Sequence, residues 1–136
     1  MNKIIAGLAI CSILVFVWLT EFSKDKLWQK WDTTLFETSK KHGKLIMLKV
    51  VKDNCHYCSD MEKSVFSASS IRDSLKENFV PVAVNISQET VPLGLKPSMT
   101  PSFYFINSEK RVVKQIVGSW NRDDFSSFVH NILKAQ

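Results

Sequence analysis

The spacing of apolar residues changes along the chain, and each change predicts a different element. Asp25–His42 has apolar residues at helical spacing and is followed by Gly43, which predicts an amphipathic helix with a glycine C-cap. Leu45–Val51 is almost continuously apolar, as in a strand buried on both faces of a sheet. Helical spacing returns after Cys55, and a second helical piece is expected to begin with a cap in Ser69–Ser70.

The second half of the chain predicts strands, a hairpin and a closing helix. Val82–Ile86 is a predicted strand with Pro81 at its start, because proline lacks the amide donor that a strand interior needs. Ser102–Ile106 and Arg111–Val117 flank a polar turn and predict a β-hairpin. Arg122–Lys134 repeats apolar residues at helical spacing and predicts the last helix. The predicted order is therefore helix, strand, helix, strand, hairpin, helix.

An uncharged apolar run, Ile4–Leu19, precedes this pattern and predicts a membrane segment. At ~1.5 Å per residue it covers roughly 24 Å of a hydrocarbon core of about 30 Å, so it spans with help from the residues up to Phe22. Residues on its C-terminal side, such as Trp18, are large, whereas a signal peptide needs small residues at its cleavage site. We expect residues 1–22 to be an uncleaved transmembrane helix, with a cleaved signal as the alternative, and residues 23–136 to form the folded domain.

Two signals disagree about the orientation of this segment. Lys24, Lys26 and Lys30 follow it closely, and their count favours a cytoplasmic domain. A short basic start before an apolar run is typical of secretory targeting, and long C-terminal domains are translocated largely regardless of charge. We expect a single-pass protein of the cytoplasmic membrane with its domain in the periplasm or another extracytoplasmic space.

Composition restricts the class of protein. The 136 residues suffice for one domain, and the apolar fraction of 45% is that of a globular chain. The net charge of +5 comes from lysines scattered among acids, so no nucleic acid is expected as a partner. Three cysteines are too few for a secreted scaffold held by disulfides.

Cys55 and Cys58 form a Cys-x-x-Cys motif that follows a predicted buried strand and opens a helix. Unpaired backbone amides and the positive end of the helix dipole stabilise a thiolate at such a position. We therefore predict that Cys55 is the nucleophile. Cys58 lies one turn further on, where it can attack a mixed disulfide at Cys55 and release the substrate.

Other uses of this cysteine pair are weaker. A zinc site needs four ligands. Cys11 falls in the membrane segment, and His42 and His130 lie far from the cysteine pair in the chain, so we expect neither a metal nor another cofactor. Two alternatives stay open. One is a metal carrier, for copper for example, that uses Cys55, His56 and Cys58, and the other is a docking module in which the cysteines are redox-inactive.

The Cys-x-x-Cys motif, together with Thr100-Pro101 directly before a predicted strand, resembles the thioredoxin family from about Asp25 to the C terminus. The resemblance implies an α/β, thioredoxin-like fold with a mixed central sheet and helices on both faces. It also implies that Pro101 is the family's cis-proline, and that Thr100 and Pro101 shape a groove in which a substrate segment pairs beside Cys55.

The chain departs from this family at residues that could modulate the site. Lys49 stands where thioredoxins usually have a buried acid; its ammonium either approaches the cysteines or extends to the strand end, and we expect the latter. His56 either stabilises the Cys55 thiolate when protonated or is simply solvated. His56 and Tyr57 together are similar to periplasmic reductase-type and isomerase-type relatives.

The resemblance implies a thiol-disulfide oxidoreductase whose substrates are protein disulfides or dithiols. Isomerases of the family typically add a dimerisation module, and none is visible in this sequence. We therefore expect a monomeric reductase or electron relay that exchanges electrons with a membrane-bound redox donor.

Overall fold

The computed structural model describes residues 26–136. These residues form a mixed sheet of four strands, which are β1 (Leu45–Val51), β2 (Phe79–Asn85), β3 (Ser102–Ile106) and β4 (Val112–Val117). Their order in the sheet is β2-β1-β3-β4. The central strand β1 pairs in parallel with β2 and antiparallel with β3, and β3 and β4 form an antiparallel hairpin. The helices are α1 (Leu35–His42), α2 (His56–Ser64), α3 (Ser69–Asn78) and α4 (Arg122–Lys134).

Side chains of β1 alternate between two cores, because successive residues of a strand point to opposite faces of the sheet. Leu45 and Met47 enter one core, which α2, α3 and α4 cover and which we call the aromatic core. Ile46, Leu48 and Val50 enter the other core, which α1 covers and which we call the aliphatic core. Helices therefore lie on both faces of the sheet, as expected. The main rings of the aromatic core are Phe66, Phe79, Phe103, Phe105 and Phe125.

The predicted helix over Asp25–His42 is wrong in its first half. Among the described residues, the helix covers only Leu35–His42, and Gly43 caps it with a φ of 62°. Gln29 instead forms a parallel bridge with Val82 at the outer edge of β2. The backbone around Gln29 is thus extended, which places Leu27 in the aromatic core and Trp31 against the aliphatic core. Pairing with the edge of the sheet overrode the helical spacing.

Strand β2 begins at Phe79, three residues before the predicted Val82, so Pro81 lies inside it. The Pro81 carbonyl accepts a hydrogen bond from the Gln29 amide at 3.0 Å, on the side away from β1. The nitrogen of Pro81 faces the same side, since the N–H and C=O of one strand residue point the same way. The pairing with β1 therefore loses no donor.

The bounds of the remaining elements agree closely with those predicted from the sequence. β1, β3 and α4 have their predicted bounds, and the hairpin is confirmed. Helix α3 begins at Ser69, but its N-cap is Ala68 and no side chain caps it, which corrects the expected serine cap.

The predicted transmembrane segment and the domain boundary at residue 22 lie outside the described residues. Within residues 26–136, no helix is long and apolar enough to cross a bilayer.

We predict that Phe66→Ala lowers the free energy of unfolding by about 3–5 kcal/mol, because it leaves a cavity in the aromatic core. Phe66 is 1% exposed and its ring lies 4.9–5.9 Å from those of Trp28, Phe103 and Phe125. Urea denaturation measures the loss. Val113→Ala is the control, since Val113 is 49% exposed on β4, and it should cost less than about 1 kcal/mol. Equal losses would contradict this account of the core.

Candidate active site

The loop from β1 to α2 is turned and fixed by its own residues. Asn54 has a φ of 54°, in the left-handed region that asparagine tolerates better than most residues. Asp53 ties the loop to the end of β2: its carboxylate accepts from the Asn85 amide at 2.8 Å, and its backbone N–H donates to the Ser87 hydroxyl at 3.0 Å. Cys55 is thereby held at the start of α2.

Cys55 is the N-cap of α2, and its Sγ accepts a hydrogen bond from the Cys58 N–H at 3.2 Å. The two residues form a disulfide, with their Cα atoms 5.3 Å apart. In the reduced protein the same amide would stabilise a Cys55 thiolate. Cys58 is buried at 8% exposure, whereas Cys55 is half-buried. A substrate that approaches from solvent therefore meets Cys55 first.

The loop before β3 meets the sulfur of Cys55. The Thr100 hydroxyl donates to the Cys55 Sγ at 3.4 Å, and the Thr100 carbonyl oxygen lies 3.7 Å from the same sulfur. The Thr100–Pro101 peptide bond is cis. Gly118 donates its N–H to the Pro101 carbonyl at 2.8 Å, which ties the loop to the end of β4. The predicted residues Cys55, Cys58, Thr100 and Pro101 thus lie together.

Lys49 does not extend to solvent at the strand end, so that expectation is wrong. The residue is only 5% exposed, and its ammonium pairs with the Glu62 carboxylate on α2. The Nζ lies 3.9 Å from the centroid of the Trp28 ring and 5.1 Å from that of Phe66. Burial lowers the pKa of Lys49 below its ordinary value, while the charge and hydrogen bond of Glu62 act in the opposite direction.

Glu62 is a site residue that the sequence analysis missed. It follows Cys58 by four residues on α2, so the two side chains share one face of the helix. Lys49, Cys55, Cys58 and Glu62 all line one cavity of about 650 Å³. The i,i+4 spacing of Cys58 and Glu62 is visible in the sequence, whereas the pairing of Glu62 with Lys49 on β1 is not.

His56 and Tyr57 project outward from the start of α2. The His56 side chain is 82% exposed, and its Nε2 lies 3.1 Å from the Asp60 carboxylate. Tyr57 is 62% exposed, as is Met99 at 53% in the loop before Thr100. Within residues 26–136, no group of three or more His, Cys, Asp or Glu side chains is placed to hold a metal ion. His56, the histidine of the metal-carrier alternative, lies beside Asp60.

Comparisons with known proteins agree with this geometry. Residues 33–133 match the model of a thioredoxin-like domain family. Among solved structures, the DsbH oxidoreductase is 18% identical with a TM-score of 0.62, covering 80% of this chain and 85% of its own. A Thermus thermophilus thioredoxin is 20% identical with a TM-score of 0.60, covering 79% and 88%. The C-terminal domain of Neisseria meningitidis DsbD, in its oxidised form, is 16% identical with a TM-score of 0.55, covering 72% and 89%.

At these identities the likeness to solved structures concerns the fold. No curated protein matches the chain by sequence.

We predict that Thr100→Val raises the pKa of the Cys55 thiol by up to about one unit, because the thiolate loses a hydroxyl donor. Ultraviolet absorbance of the thiolate, followed against pH in the reduced protein, measures the change. Thr38→Val removes a comparable hydroxyl on α1, one that donates to the Thr34 carbonyl at 3.3 Å, and should leave the thiol pKa unchanged. A thiol pKa that is the same in T100V and wild type would show that the hydroxyl does not act on the sulfur.

Proposed function

Because this chain belongs to the thioredoxin-like family, we propose that it is a membrane-tethered reductase or electron relay that exchanges electrons with protein disulfides outside the cytoplasmic membrane. The protein is a thiol-disulfide oxidoreductase, as its family and its Cys55–Cys58 disulfide indicate. The observation that carries the proposal is the placement of this pair at the start of α2, with Thr100 against the sulfur of Cys55.

The reaction in the reducing direction has two steps. The Cys55 thiolate attacks one sulfur of a substrate disulfide, forms a mixed disulfide and expels the other substrate sulfur as a thiolate. Cys58 then gives its proton to solvent and attacks the Cys55 sulfur, which closes the internal disulfide and releases the second substrate thiolate. The substrate gains two electrons and, once both thiolates take up protons, two protons; the dithiol loses the same.

The docking groove that we propose lies between the start of α2 and the Thr100–Pro101 loop. Thr100 offers backbone groups on which an extended substrate segment can pair beside Cys55. Tyr57 and Met99 are exposed on either side, at 62% and 53%, and provide apolar contact for a substrate side chain. Protein segments around a disulfide fit this description.

The charges at the site favour a reductase or relay over a strong oxidant. A cation next to the cysteines stabilises the thiolate and makes the disulfide more oxidising. Here the buried ammonium of Lys49 is paired with the Glu62 carboxylate, and the His56 ring lies beside the Asp60 carboxylate. These two carboxylates reduce the net positive charge at the sulfurs.

The membrane tether and the location are proposed from the sequence. Ile4–Leu19 is long enough to reach most of the way across a bilayer, and Lys3 gives it the basic start of a secretory segment. A tether would keep the domain, which we propose is monomeric, near a membrane-bound redox donor. We propose a redox protein as this donor because the Cys55–Cys58 disulfide must be reduced again after each reaction cycle.

We predict that Cys58→Ser traps a mixed disulfide between Cys55 and a model disulfide protein such as insulin, because the second step is blocked. A non-reducing gel shows the adduct, and the double variant C55S/C58S is the control that should form none. If C58S forms no adduct that depends on Cys55, the exchange mechanism is wrong.

We predict a reduction potential nearer to the about −270 mV of thioredoxin than to the about −120 mV of a dedicated oxidant. Equilibration with dithiothreitol or glutathione buffers, followed by thiol alkylation, measures it. A value near the oxidant end would reject the reductase and relay while keeping the exchange chemistry.

We predict that the full-length chain stays in the membrane fraction after an alkaline wash, and that protease added to spheroplasts degrades its domain. Both results follow if the apolar segment spans the bilayer with the domain outside. A protected domain that becomes accessible only after lysis would place it in the cytoplasm.

A further inference from the structure

We infer that Lys49 and Glu62 are opposed positioning charges that set the stability of the Cys58 thiolate and, through it, the reduction potential of the cysteine pair. This inference rests on the thiol-disulfide exchange proposed above. Thioredoxins usually have a buried acid at the position of Lys49. Here a buried lysine stands at that position, and the acid that pairs with it, Glu62, lies on α2.

The alternation of side chains along β1 explains why Lys49 points toward the helix that carries the cysteines. It shares a face with Leu45 and Met47, so its side chain points toward the aromatic core and α2 rather than toward α1. Lys49 is also close to the carboxyl end of β1, where the loop to Cys55 begins. An apolar residue at this position would extend the core, whereas a buried ammonium is costly unless it is paired.

Two aromatic rings and one carboxylate hold the ammonium in place. Its Nζ lies 3.9 Å from the ring centroid of Trp28 and 5.1 Å from that of Phe66, distances at which a cation is attracted to the ring face. Glu62 completes the contact from α2. The position of the charge relative to the cysteines is therefore fixed by packing.

Cys58 and Glu62 are neighbours on one helix face, since residues four apart have Cβ atoms about 5–6 Å from each other. Lys49, bonded to Glu62, lines the same cavity as Cys58. A positive charge near a thiol favours the thiolate, and a negative charge disfavours it. The pair thus acts on Cys58 with two contributions of opposite sign.

Other titratable groups line this cavity, namely Lys52, Asp53 and His56. Asp53 accepts from Asn85, and His56 lies beside Asp60. All of them are unchanged when Lys49 or Glu62 is replaced. Differences between the variants therefore report the pair itself.

The test compares Lys49→Met with Glu62→Gln in the reduced full-length chain. K49M leaves the Glu62 carboxylate unbalanced and should raise the thiol pKa of the cysteine pair by about one unit; E62Q should lower it by a similar amount. In glutathione buffer, the equilibrium should move toward the disulfide in K49M and toward the dithiol in E62Q, each by up to about tenfold. The double variant K49M/E62Q should return close to wild type.

Lys63→Met and Glu77→Gln are the matched controls, because both residues are exposed and lie outside the cavity. The inference is overturned if K49M and E62Q shift the thiol pKa in the same direction, or if neither shift exceeds those of the controls. Glu62 is half-exposed, so E62Q keeps the test decisive when K49M does not fold.

This test is separate from that of the exchange mechanism. Opposite pKa shifts with no adduct in C58S would refute the proposed function and support the charge pair. An adduct in C58S with no opposite shifts would do the reverse.

Discussion

The burial of strand β1 on both faces is the constraint on which the site depends. Each face of β1 packs against its own core, so the strand cannot slip by one residue without exchanging the two sets of side chains. That register fixes where the strand ends and hence where the loop delivers Cys55 to the start of α2. It also determines that Lys49 faces α2. The reactive pair and its charged neighbour are both consequences of one buried strand.

The site combines groups from four parts of the chain. The helix start provides an amide to the Cys55 sulfur, and the loop before β3 provides the Thr100 hydroxyl. β1 contributes an ammonium, and α2 contributes a carboxylate one turn beyond Cys58. The first two favour a thiolate on Cys55, the more accessible cysteine, whereas we infer that the last two act on the buried Cys58 with opposite signs. Such an arrangement suits exchange in which Cys55 attacks readily and Cys58 resolves without making the disulfide a strong oxidant.

The local apolar pattern predicts the elements correctly where it agrees with the tertiary structure. β1 and α4 have their predicted bounds, since an apolar run and a long amphipathic repeat leave little choice of element. The pattern predicts the wrong element at Leu27–Trp31, where apolar residues at helical spacing lie in an extended segment that pairs with β2. The spacing of apolar residues indicates only which side chains are buried. An extended segment that contacts both cores can bury side chains at the same spacing as a helix.

The family's motif, the order of the strands and helices after Gly43 and the identity of the two cysteines are all predictable from local sequence, because each depends on residues close together in the chain. The surroundings of Lys49, in contrast, depend on long-range packing. Its neighbours Trp28 and Glu62 come from separate elements, and their approach depends on how those elements pack rather than on any local pattern. A lysine in an apolar strand could extend to solvent or be buried with a counter-ion, and packing of α2 against β1 selects burial.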